Sequence, residues 1–134
     1  MSDVFVGSLM SSPVRTVDAE TSIQEAGRLM LDNGIGSMVV ADENGRLEGI
    51  LTSTDFVRVV AQDDADPVPT VSSVMTTDVI TTTVNESIRT AADVMLEHGF
   101  HHLPVVDNEN AVIGVVTTTD LTAYLSTTEG PDSL

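Results

Sequence analysis

A repeat constrains this chain more than any other feature. "GILTSTD", Gly49 to Asp55, returns as "GVVTTTD", Gly114 to Asp120, 65 residues later. The same shift lays residues 10–56 on residues 75–121 without a gap, and fifteen of those 47 positions are identical. Met10/Met75, Ile23/Ile88, Ala26/Ala91, Met30/Met95, Gly34/Gly99, Asp42/Asp107, Gly49/Gly114 and Asp55/Asp120 are among them. A fixed period without insertion means two copies of one supersecondary unit. A unit of about 60 residues is marginal alone, so the copies are expected to pack together about a pseudo-two-fold axis. The join "QDDADPVPT" is rich in acid and proline and reads as a linker. The expected division is repeat 1 over 1–61, linker 62–70, repeat 2 over 71–126 and a flexible tail 127–134.

Each copy parses as β-α-β-β-α, an α+β fold of sandwich-like type. The opening pieces "SPVRTV" and "TDVITTTV" are rich in β-branched residues. A helix follows, with Ser22 and Glu25 as a capping box and Ile23, Ala26 and Met30 on one face. Ile88, Ala91 and Met95 repeat that face. Gly34 and Gly99 stand at the C-caps. Two short strands come next, "MVVAD" and "RLEGILT", with Asn44-Gly45 as a hairpin signal between them. Copy two has "LPVVD" and "AVIGVVT" about the weaker turn "NEN". The last helices are "TDFVRVVA" and "TDLTAYLS". The methionines recur partly in register, which favours core filling.

The chain has 21 acidic residues, five Arg and no Lys, for a net charge of -16. Nucleic acid and anionic membranes both require a basic face, so neither is an expected partner. The acids are scattered over the sequence, which reads as a solvated surface, and excess acid without Lys resembles proteins of salt-loving cytoplasms. With no Cys there is no disulfide framework and no thiol nucleophile. The N-terminus has no signal-peptide character and no apolar run reaches membrane-spanning length, so the expected location is the cytoplasm.

In order, spacing and duplication, β-α-β-β-α, "LPVVD" before a hairpin and "G-h-h-T-x-T-D" opening the last helix resemble the cystathionine-β-synthase (CBS) domain. Two in tandem resemble the CBS pair, or Bateman module. The resemblance covers roughly Val4 to Ser126, so the chain is expected to be a stand-alone pair with no attached enzyme or transporter domain. Copy one departs from the pattern at Val39, where copy two has Pro104, and at "GSM", where copy two has "HHL". The first half is therefore expected to bind differently or not at all.

The repeated phrase has two readings. Thr and Asp before an apolar helix are N-cap residues, worth about 1 kcal/mol each, and Gly49 and Gly114 give room in a strand. Yet Thr52, Thr54 and Asp55 recur together as Thr117, Thr119 and Asp120, which is more than a cap requires. A carboxylate at a helix start can accept from both hydroxyls of a ribose, each bond worth roughly 1.5–3 kcal/mol. Thr hydroxyls and helix N–H groups can hold a phosphate.

The resemblance implies such a use, with Asp on ribose, Thr near ribose or phosphate, adenine against the opening strand, and the ligand in the cleft between copies. One site then comprises Asp120, Thr119, Thr117, Pro13, Val14, Arg15, Ile35, Gly36 and Ser37. The mirrored site comprises Asp55, Thr54, Thr52, Asp78, Val79, Ile80 and Phe100. His101 and His102 serve either, because the family often carries basic residues there facing phosphate. His98 is expected to cap its helix or face solvent. No third ligand accompanies the histidine pair at a sensible spacing, so no metal site is expected.

Arg15, His101 and His102 are the only cations placed near a phosphate, which ranks AMP above ADP and both above ATP. S-adenosylmethionine needs no phosphate site and stays open. No obligatory cofactor and no catalytic residue is expected: P-loop, G-x-S-x-G and H-E-x-x-H are absent. The expected function is an adenosine-ligand sensor acting on an unidentified protein partner. The alternative is a ligand-free dimeric scaffold whose Thr-Asp phrases are only caps. The family implies homodimers, for which "VFVGSL" and "LTAYL" are candidate contacts.

Overall fold

A computed structural model describes residues 4–12, 14–62 and 69–128. The order is α1 (Val6–Leu9), β1 (Thr16–Val17), α2 (Ile23–Asn33), β2 (Ser37–Ala41), β3 (Leu47–Thr52), α3 (Ser53–Ala61), α4 (Val71–Val74), α5 (Ile88–His98), β4 (His102–Val106), β5 (Val112–Thr117) and α6 (Thr118–Thr128). Both copies follow β-α-β-β-α in outline and the fold is α+β. The expected linker lies mostly outside the described residues, at 63–68, as does most of the tail, at 129–134. Residues 127 and 128 continue α6.

Two compact units emerge, and they cut across the sequence repeats. One gathers residues 1–14, 80–109 and 113–134, the other 15–79 and 110–112. Each unit thus takes the opening segment of the other sequence repeat. In the first, Val6 N–H donates to Glu86 O (2.9 Å), Gly7 N–H to Val84 O (3.1 Å) and Ile88 N–H to Val4 O (3.0 Å). In the second, Val71 N–H donates to Thr21 O (2.8 Å), Ser72 N–H to Ala19 O (2.9 Å) and Ile23 N–H to Pro69 O (3.0 Å). The short helices α1 and α4 were not foreseen. They lie 65 residues apart, so the repeat begins upstream of Met10.

The cores repeat as well. One holds Val17, Ile23, Ala26, Met30, Met38, Val40, Leu51 and Val71. The other holds Val6, Ala91, Met95, Leu103, Val105 and Val116. Burying side chains of this size stabilises by roughly 1.5–3 kcal/mol each, so α1 and α4, which supply Val6 and Val71, are integral to their units. Met30, Met38 and Met95 are buried, as core filling requires. Val6, in one of the candidate dimer contacts, is fully buried inside its own unit.

Local signals explain the helix ends. Ser22 Oγ accepts from Glu25 N–H and Ser87 Oγ from Thr90 N–H, both at 3.1 Å. Gly34 and Gly99 are left-handed C-caps at φ 62° and 70°, a conformation that penalises any Cβ. The opening strands are shorter than expected. β1 has two residues, paired parallel to β2 as Thr16↔Val39 and Val17↔Val40. Its counterpart in the second repeat shrinks to one parallel bridge, Thr82↔Val105. There Pro104 offers a carbonyl to Thr82 N–H (3.0 Å) but has no N–H for the ladder.

Candidate functional site

In each unit a strand ends on threonine and a helix starts on the next residue. In the unit with β4 and β5, Thr117 N–H donates to Asp120 Oδ2 (2.8 Å), and Asp120 N–H donates to Thr117 Oγ1 (3.1 Å). Thr117 and Asp120 thus cap each other, as a capping box does. In the other unit, Asp55 Oδ2 accepts from Thr52 N–H (2.8 Å) and from the Thr52 hydroxyl (3.3 Å). The capping account of the repeated phrase therefore holds for the threonine that ends each strand and for the aspartate. It leaves over Thr54 and Thr119, whose side chains are exposed on the first turns of α3 and α6.

The segment before each hairpin closes onto the same turn. Thr118 N–H donates to His101 O (3.0 Å), and Ser53 N–H donates to Gly36 O (3.2 Å). Ser37 pairs with Thr52 across β2 and β3. These bonds use helix N–H groups that were expected to meet a phosphate, so phosphate capacity at both turns is lower than the sequence suggested.

The two carboxylates differ. Asp55 is 2% exposed, and its Oδ1 accepts from Arg58 Nη1 at 3.2 Å. Asp120 is half-buried. Among the described residues, its Oδ1 has no hydrogen-bond partner. His102 is half-buried near Asp120. Burial holds its imidazole below the ordinary histidine value, His101 adds to that, and Asp120 opposes both. His101 is exposed; His98 is exposed too, and stacks on Phe100 with ring centroids 5.9 Å apart.

The remaining expected residues sort by unit. Val14, Ile80 and Phe100 belong with Asp120, whereas Arg15, Ile35, Gly36, Ser37, Asp78 and Val79 belong with Asp55. Pro13 lies outside the described residues. Ile80 and Ile35 pack partly against the cores of their own units. Sequence reasoning missed Arg58, whose signal was its place three residues after Asp55 on one helix face. It also missed Thr82, a buried residue whose Oγ1 has no hydrogen-bond partner among the described residues. Among the described residues no group of three or more His, Asp or Glu side chains is placed to hold a metal ion, and no helix is long and apolar enough to cross a membrane.

A family model described as the CBS domain matches residues 6–62 and again residues 71–127. Homoserine O-acetyltransferase of Methanocorpusculum labreanum is 39% identical over 116 residues, which are 87% of this chain and 23% of the acetyltransferase. An uncharacterized 17.7 kDa protein of Acidianus ambivalens is 33% identical over 120 residues, 90% of this chain and 72% of that protein. The chain thus spans under a quarter of the acetyltransferase and nearly three quarters of the Acidianus protein. Among solved structures, the CBS domain pair of protein MJ0100 in complex with 5′-methylthioadenosine and S-adenosyl-L-methionine matches with a TM-score of 0.88 at 30% identity, over 95% of this chain and 99% of that one.

Proposed function

The chain belongs to the CBS-domain family, and from that premise we propose that it is a regulatory module that binds an adenosine-containing small molecule. The observation that carries this reading is the Asp120 turn. One oxygen of this half-buried carboxylate is spent on the cap while the other has no hydrogen-bond partner among the described residues. The 2′ and 3′ hydroxyls of a ribose are donors of the right kind for it, and Thr119, exposed on the same first turn, carries a further hydroxyl. The match to a CBS pair in complex with 5′-methylthioadenosine and S-adenosyl-L-methionine supports an adenosine ligand.

Charge selects among adenosine compounds. A triphosphate near −4 meets a chain of net charge -16, and His102 is held toward its neutral form. The ligand class is therefore one with at most one phosphate: AMP, 5′-methylthioadenosine or S-adenosylmethionine. A ligand that binds one conformation better than another shifts the population toward it, and that shift is the signal passed to a protein partner. The working form is a homodimer and the module is not itself an enzyme.

A second reading, the ligand-free scaffold, draws on the capping bonds at both turns, which need no ligand to explain them. A thermal-shift titration at high salt with AMP, ADP, ATP, NAD, 5′-methylthioadenosine and S-adenosylmethionine separates the two. A ligand at 100 times its Kd adds about 2.7 kcal/mol, a plainly visible rise in midpoint. The sensor reading expects a saturable rise with a compound carrying at most one phosphate, abolished by Asp120→Ala. A folded protein that responds to none of them is the scaffold.

A further inference from the structure

The structure assigns Arg58 the role of a lock on the carboxylate of the first repeat, leaving Asp120 as the open one. This rests on the ligand-binding reading above and concerns which of two look-alike turns is available to a ribose.

Thr52 and Asp55 at the start of α3 have the same types and spacing as Thr117 and Asp120 at the start of α6, yet the two carboxylates are committed differently. Asp55 has both oxygens engaged: Oδ2 by the Thr52 N–H (2.8 Å) and hydroxyl (3.3 Å), Oδ1 by Arg58 Nη1 (3.2 Å). The Asp55 side chain is 1% exposed and that of Arg58 is 64% exposed. The guanidinium is thus the outer member of the pair and lies over the acid. At Asp120, the Thr117 hydroxyl accepts from the helix N–H, and Oδ1 has no hydrogen-bond partner among the described residues. Position 123, the counterpart of 58, is Ala123.

Residues three and four along a helix are neighbours, so positions 58 and 59 can both reach position 55; 59 is Val59, and Arg58 supplies the cation. A ribose would have to displace a charge-assisted bond with two neutral hydroxyls, which bind a carboxylate less strongly than a guanidinium does. The displacement would also leave a cation beside the bound ligand with its partner taken. Exposed ion pairs are weak in general, but here the acid is buried, and separating a buried charge from its partner is costly. Repeat one thus keeps the phrase as a helix cap, while the second repeat keeps it as a cap with one oxygen to spare.

Carboxyl footprinting of the intact protein with carbodiimide and an amine probe, read by mass spectrometry, tests the lock without any ligand. Asp120 should label at least about ten-fold faster than Asp55. Arg58→Ala should bring Asp55 up toward the Asp120 rate, and Ala123→Arg should protect Asp120. Arg58→Met, which retains an apolar stem, repeats the test if the alanine variant melts early. Calorimetry with 5′-methylthioadenosine and with AMP reads the consequence: one ligand per chain in the native protein, two after Arg58→Ala, none after Ala123→Arg. Equal labelling of the two aspartates in the native protein overturns the lock. So does an Asp55 that stays protected without Arg58, or two ligands per native chain. The expected labelling with no heat from either compound upholds the lock and overturns the ligand reading alone.

Discussion

Gly49 and Gly114 recur because another backbone needs the space. A Cβ built on Gly49 would lie 2.8 Å from Met75 Sδ and 2.8 Å from Thr76 O. The methionine can swing aside, but the Thr76 carbonyl cannot, since it accepts from Ile50 N–H while Thr76 N–H donates to Ile50 O, both at 2.9 Å. Gly49→Ala should therefore cost about 1–3 kcal/mol, the range for overpacking a tight site. Urea denaturation checks this; a variant as stable as the native protein would contradict it. Other recurring residues also prove to be local devices. Asp42 Oδ1 accepts from Asn44 and Arg46 N–H, and Asp107 Oδ1 from Glu109 N–H, each holding a hairpin turn. The repeat exposed all of these positions in the sequence. It did not expose what differs between copies, because Arg58 against Ala123 is a mismatch and a search for identity passes over mismatches.

At the scale of elements, what the sequence made legible follows from how much local signal each element carries. The four long helices have capping residues, an apolar face, a glycine stop or the Thr-Asp start, and their limits were nearly right. The hairpins carried alternation and turn residues and were equally plain. The opening strands were overestimated because β-branched composition does not say whether a neighbour offers ladder partners. α1 and α4 span one turn each, too short for any periodicity to show. The junction of β4 with α6 yields a prediction of its own. Burial lowers the His102 value, so as pH falls the unfolded chain takes up a proton before the folded one does. That contribution to stability is complete above about pH 6.5 and is lost as pH drops below it toward the folded value. Urea midpoints from pH 8 to pH 5 should fall more steeply for the native protein than for His102→Gln. Parallel curves would count against a buried, neutral His102.

At the scale of the molecule, the repeat and its charge are the governing facts. Each unit borrows the opening segment of the other repeat, an exchange that the linear order of the repeats does not reveal because nothing local marks so distant a partner. Self-repulsion at a net charge of -16 is long-ranged at low salt. The Debye length falls from about 10 Å at 0.1 M to about 3 Å at 1 M. The melting temperature should therefore climb by several degrees between those concentrations of NaCl, and a flat profile would show that the acids are already balanced in the fold. The family and its two copies were readable from the repeated phrase; which carboxylate oxygen is left over was not, because that is a matter of geometry. The central claim is that Asp120 holds a ribose. The most direct test is the affinity of the native protein for AMP or 5′-methylthioadenosine, whichever binds more tightly, against its 2′-deoxy counterpart, repeated with Asp120→Ala. A hydrogen bond to a carboxylate is worth about 1.5–3 kcal/mol, so the native protein should prefer the ribose by about ten-fold or more, and the variant should have no preference. Equal affinity of the native protein for both sugars, or binding of neither, would contradict the account.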